Sequence, residues 1–391
     1  MKQIEDVFSL KRHDRFGRLF FLSLLIFLLL ACNSCARRPT ETVHGIAFTS
    51  LGIPSEGLYE EGSIAHSPWD MVFYDGVLYV GNGDYDANTG PATVYSYNAR
   101  RNKWKNSTSL PEEEINRFLL LDGVLATPGI DPTEDWTLGN YYTLEDGVWQ
   151  KHRVIPHGIH TFDIVYYHGA LFAGLGVEPG KYPVVRSEDG ESFLEISFEK
   201  EGLAVDTTRG TLVRTYDLIV FQDTLYATLV LGDDAPLYEL YRFDEEKNAF
   251  VFESDLSQSI SRVKYNHMRI TSKVCFDDRM LLVTGKLYET KDMESFREIK
   301  LEGETLIADL YEHEGALYLL TASKNKEGKF KTSVWQAREG DTLGFTELFN
   351  FLYDAPPLSL AVDGNDFYIG MGDTKTQNEK NGTVLLVKYV Q

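Results

Sequence analysis

Seven polar residues recur at one place in an otherwise apolar repeat: Asp70, Arg117, Asp163, Asp217, Ser272, Asp309 and Ser359. Each stands 8 residues before a second landmark, the series Leu78, Leu125, Leu171, Leu225, Met280, Leu317 and Phe367. Three residues upstream of the polar series lie Ser67, Glu114, His160, Arg214, Arg269, Leu306 and Pro356. The two series together put Glu114, Arg117, His160, Asp163, Arg214, Asp217 and Arg269 in consecutive repeats. Carboxylates, guanidinium groups and an imidazole in one sector suit two chemistries. Arginines can grip a carboxylate or sulfate in a bidentate fork, and paired carboxyls can act as acid and base on a glycoside. A polar ring is also what a water-filled channel needs to hydrogen-bond its own loops.

Metal signals are weaker. Asp84, Asp86 and Asn88 place oxygens at alternate positions, as Ca²⁺ loops do, but Gly90 comes one place late and no twelfth-position Glu follows. No other cofactor is called for. His157 and His160 have zinc-like spacing with no third ligand to name. No Gly-x-Ser-x-Gly elbow, phosphate loop or dinucleotide fingerprint occurs.

These residues need a scaffold that repeats. Trp69 to Gly81 is an apolar strand, an Asp-Gly turn and a second apolar strand, and the pattern returns around Asp163, Asp217 and Asp309. Seven such units succeed each other at intervals of 37 to 55 residues. That period, with short strands throughout, predicts an all-β, seven-bladed β-propeller of four-stranded blades over residues 43–391. An aromatic opens the outer strand of the first six units: Trp104, Trp149, Phe193, Phe250, Phe296 and Phe345. The seventh unit lacks a fourth strand, and Ile46–Thr49 is expected to supply it, closing the ring and removing an exposed edge.

Composition agrees. The 391 residues carry a formal net charge of −21, which argues against a nucleic-acid partner. Three cysteines make no disulfide framework. Cys275, between Val274 and Phe276, is expected to be an inert core thiol.

Lys11, Arg12, Arg15 and Arg18 precede an apolar run from Leu19 to Ala31, too short for a stable bilayer span. The run ends in Leu29-Leu30-Ala31-Cys32 and resembles the lipobox of bacterial lipoproteins. The resemblance implies a signal peptide over 1–31, lipidation of Cys32, a flexible tether over 32–42, and attachment to the extracytoplasmic face of the cell envelope by lipid alone.

Ser187 to Phe193, Thr290 to Phe296 and Glu145 to Trp149 share an acidic hairpin. They resemble the Asp-box turns of sialidase-like propellers, although Gly follows Asp directly or gives way to Glu294. The chain is thus similar to sialidase- and kelch-like propellers. In sialidase-like enzymes an arginine cluster binds a carboxylate, for which Arg117, Arg214 and Arg269 are available. The tyrosine nucleophile and the acid find no match here, and the Arg-Ile-Pro signature is absent.

Three functions stay open. The first is non-catalytic binding of a glycan, small anion or protein at the channel mouth. The second is a glycoside hydrolase or lyase using Asp163 or Asp217, and the third is a scaffold in an envelope complex.

Overall fold

The computed structural model describes residues 40–43, 46–232, 237–260, 270–303, 306–338 and 343–389. Residues 41–391 form one compact unit, and its described residues lie almost wholly in short, mostly antiparallel strands and their turns. Its hairpins follow from the turn residues. Asp75-Gly76, Asp122-Gly123, His168-Gly169 and Glu314-Gly315 all hold both residues at positive φ. That is the turn geometry whose twist matches a two-residue hairpin. Gln222-Asp223 and Asp277-Asp278 adopt the same geometry without glycine, at φ of 48°, 58°, 48° and 62°.

The architecture is a β-propeller, but five separate blades stand where seven were expected. The first comprises Met71–Tyr74, Val77–Val80, Ala92–Asn98 and Lys103–Leu110. The second comprises Leu119–Leu121, Val124–Pro128, Leu138–Glu145 and Val148–Pro156. Two more begin at Ser272–Phe276 and Leu306–His313. The last contains Pro357–Asp363, Asp366–Met371 and Thr383–Lys388, with Ile46–Ser50 beside them and Thr40–Val43 outermost. Phe48 faces Val387 across that junction and is buried against Phe351, ring centroids 5.1 Å apart.

The remaining arc is one thirteen-stranded sheet. It holds two antiparallel meanders, one beginning at His160–Tyr167 and one at Leu218–Phe221. Val213–Arg214 stitches them by pairing with Ala170–Val177 on one side and Thr224–Leu231 on the other. Ile130–Pro132 and Glu112–Glu114 extend the same sheet beyond His160. The repeat count sees hairpins; it is blind to hydrogen bonds made by connecting segments, and those bonds fuse this part of the ring.

Apolar clusters fill the wedges between neighbouring sheets, as the aromatic series requires. Tyr97 stands 5.1 Å from Trp104 and 6.2 Å from Tyr368, so it binds the first blade to the last. Two of the acidic hairpins have one geometry. Asp189 accepts the backbone N–H groups of Glu191 and Ser192, and Asp292 accepts those of Glu294 and Ser295. Met293 takes the left-handed position that Gly190 holds in the other turn.

Candidate functional site

The polar ring joins one repeat to the next, with Arg117, Asp163, Asp217 and Ser359 buried and Asp70, Ser272 and Asp309 half-buried. Asp70 accepts from its own neighbour, Met71 N–H, with one oxygen and from Phe118 N–H with the other. Asp163 does the same with Ile164 and Leu218 N–H, and Asp309 with Leu310 and Leu360 N–H. Asp217 reaches Ile270 N–H, Ser272 exchanges hydrogen bonds with Leu310, and Ser359 donates to Pro68 O at 2.6 Å. A strand's first N–H lacks a ladder partner on the axial side, and the preceding repeat's side chain supplies one.

Arg117 breaks the pattern and crosses to other repeats. Its guanidinium meets Asp163 at 2.9 Å, Asp217 at 3.1 Å and Ile270 O at 2.8 Å. Lys273 Nζ donates to Asp163 as well, and to Leu218 O at 2.6 Å. Asp163 and Asp217 are fully buried. Burial would raise the Asp163 carboxyl, but Lys273 and Arg117 outweigh it and hold it below the ordinary range. Burial lowers Lys273 despite the attraction of Asp163. On the other side of the ring, burial and the charge of Asp70 push Asp309 up to about 8, against the hydrogen bonds it accepts. The ring is therefore ionic on one side and carries a protonated acid on the other.

The second series sits at the mouth. Glu114, Ile130, His160, Gly176, Arg214 and Val230 lie opposite one another in turn across the thirteen-stranded sheet. Residues directly opposite share a face. Three of the predicted ionisable residues thus stand in one row, separated by Ile130 and Gly176. Gly176 lets the two side chains close up: a Cβ there would lie 2.9 Å from Arg214 Cδ and Nε and from His160 Cδ2. Arg214 donates to Val177 O at 3.3 Å and Val213 O at 3.1 Å. Glu114 is buried and accepts from Asn116. Arg269, Cys32, and the loop acids Asp233 and Asp234 lie outside the described residues.

Asp131 faces His160 Nδ1 at 4.0 Å, and both side chains keep about a sixth of their surface exposed, 15% and 16%. Burial, and then Glu113, raise Asp131 to about 6. Its φ is +58°, a left-handed conformation that costs a non-glycine residue energy and tends to persist at functional sites. Tyr85 stands 6.2 Å from the His160 ring and Phe162 stands 5.5 Å from it. Behind the row, Glu112 accepts from Asn140 at 2.6 Å and Tyr142 at 2.7 Å, and burial raises its carboxyl to about 7.

Asp84 spends one oxygen on Ala87 N–H within a closed turn, and Asn88 ends that turn at φ +51°. The Asp84 bond closes an Asx-type turn; among the described residues, no three His, Cys, Asp or Glu side chains gather as metal ligands. Cys275 is exposed, against the expectation of a core thiol. It lies one residue from the end of its strand, Ser272–Phe276. Lys273 and Asp131 are the residues missed as site components. A lysine in an otherwise apolar strand beside Ser272 was the available signal for the first. Asp131 belongs to no motif in the sequence.

No protein-family model matches this chain, and no curated protein matches it. Solved structures do. A chain of a structure titled "Crystal Structure of Mitotic Checkpoint Complex" aligns with 85% of this chain and 94% of its own length, at 10% identity and a TM-score of 0.50. This chain shares a propeller fold with it. A putative 6-phosphogluconolactonase from Bacteroides fragilis aligns over 75% of this chain and 88% of its own, at 11% identity and a TM-score of 0.46.

Proposed function

We propose that the protein is a non-catalytic binding propeller held on the bacterial envelope by an N-terminal lipid. The observation that carries the binding role is the row at the mouth, where His160 and Arg214 meet over Gly176. A small polar ligand, a glycan first, finds a donor fork in Arg214, an imidazole, the raised carboxyl of Asp131 and the flanking Tyr85 ring. Ligand sites combine such convergent polar groups with apolar walls. Asp131 sets a carboxylate 4.0 Å from His160 in the same row, so a neutral or mildly acidic sugar suits the mouth better than a highly charged anion.

The hydrolase or lyase reading needs a carboxyl at liberty to exchange protons with a substrate. The oxygens of Asp163 and Asp217 instead hold backbone N–H groups, Arg117 and Lys273. That favours binding over turnover. A glycan array, followed by product analysis of each ligand retained, tests the choice. Retention without cleavage is expected, and multiple turnovers would establish the enzyme instead.

Seven-fold symmetry is the finer reading of the fold: the two meanders of the fused sheet act as third and fourth blades. Lipid anchoring rests on the charge, length and Leu-Leu-Ala-Cys order of the first 32 residues. Cys32→Ser should release the protein from membranes after a salt wash, and a membrane-bound variant would refute the anchor.

A further inference from the structure

The end of the channel opposite the mouth carries a second pattern. Leu120, Tyr166, Val220 and Cys275 occupy the same register in successive innermost strands, paired with Leu125, Leu171, Leu225 and Met280. Each lies three residues beyond the polar ring, about 10 Å along its strand. Leu120 is 60% exposed, Tyr166 46% and Val220 40%, and Cys275 is exposed. Asp163 and Asp217 tie consecutive strands of this arc together through Leu218 and Ile270 N–H. The four side chains therefore form a run of apolar surface rather than isolated exceptions, and such runs mark contact sites.

The hairpin tips that close these strands are acidic. Asp75, Asp122, Asp223, Asp278, Glu314 and Asp363 are all exposed there. No Lys or Arg occupies a corresponding tip among the described residues, and the single His168 is engaged by Asp223 at 2.7 Å and Glu245 at 2.6 Å. An apolar arc inside an acidic rim has a definite complement. A second copy would bring the same acidic rim against itself, because a two-fold contact sets like patches together. An anionic lipid surface is repelled for the same reason. A cationic segment with apolar side chains gains on both counts, since charge complementarity steers and orients association.

We propose that this end docks a Lys/Arg-rich segment of a partner protein, with its Leu or aromatic side chains on Leu120, Tyr166 and Val220 and its cations on the Asp and Glu tips. The surface is separate from the ligand row at the other mouth, so the two assignments stand or fall independently.

The test uses the full chain in detergent and a fluorescent hexapeptide, Arg-Leu-Arg-Trp-Arg-Leu, beside an all-Lys hexapeptide of higher charge. The first peptide should bind saturably and more tightly than the second. It should also slow alkylation of Cys275, followed by mass spectrometry of the fragment containing it, by about tenfold at saturation. Leu120→Gln and Val220→Thr, both at exposed positions, should each weaken binding by about tenfold with an unchanged melting temperature. The proposal is overturned if the all-Lys peptide binds as well, if Cys275 alkylates at the same rate with peptide present, or if neither variant changes affinity. Concentration-dependent dimerisation abolished by Leu120→Gln would overturn it too, by assigning the arc to a second copy.

Discussion

Arg117 is the residue on which the channel depends most. It offers one planar group to two fully buried carboxylates and a carbonyl from three different segments. Removing one member of a buried ion pair leaves the others desolvated and uncompensated, at a cost of about 3–5 kcal/mol. Arg117→Ala should therefore lower unfolding stability by about that amount in urea, and a loss under about 1 kcal/mol would show that the charges are hydrated. Asp309 makes the complementary prediction. Its pKa rises from 3.8 unfolded to about 8 folded, so the folded state binds this proton more tightly. Its stabilising contribution is complete below the unfolded value and is lost as pH climbs through about 8. Stability should fall between pH of about 4 and about 8 and level off above that, and Asp309→Asn should flatten that slope. A variant with the wild-type slope would assign the pH dependence elsewhere. The identity of this ring was legible in the sequence because one polar residue per apolar strand must be explained. Its job was legible only in outline, as a ring that hydrogen-bonds backbone. Which backbone N–H each carboxylate meets depends on the neighbouring repeat, and nothing in a strand's own residues marks Lys273 as the partner of Asp163.

At the scale of elements, the hairpins were the most readable part, because Asp-Gly turns flanked by alternating apolar residues permit little else. The short connecting strands were the least readable. Val213–Arg214 has only two residues, too few for any periodicity, yet it fuses two meanders into one sheet. The same fusion builds the mouth, since Glu114, His160 and Arg214 align only because Ile130 and Gly176 lie between them in register. Closure of the ring was foreseen from a missing strand, and Ile46–Ser50 lies against Thr383–Lys388. Phe48 is its anchor, at 2% exposure beside Phe351. Phe48→Ala should cost about 3–5 kcal/mol, the scale of a fully buried aromatic. A change of less than about 1 kcal/mol in chemical denaturation would mean that this strand does not hold the last blade.

The chain is strongly acidic, with a formal net charge of −21, and the unit over residues 41–391 is a propeller. Ion pairs and backbone N–H groups occupy the carboxylates of Asp163 and Asp217, which leaves the row over Gly176 as the proposed place for ligand chemistry. The central claim is that one mouth binds a small polar ligand over Gly176. The most direct measurement is calorimetric titration of the best array ligand into wild-type protein, Arg214→Ala and Gly176→Ala. Arg214→Ala should lose about 1.5–3 kcal/mol, the scale of a charge-assisted hydrogen bond. Gly176→Ala should weaken binding as well, because its added methyl group displaces Arg214 and His160, while the melting temperature of Arg214→Ala stays at the wild-type value. Equal affinity in all three proteins would place the ligand elsewhere and contradict the account.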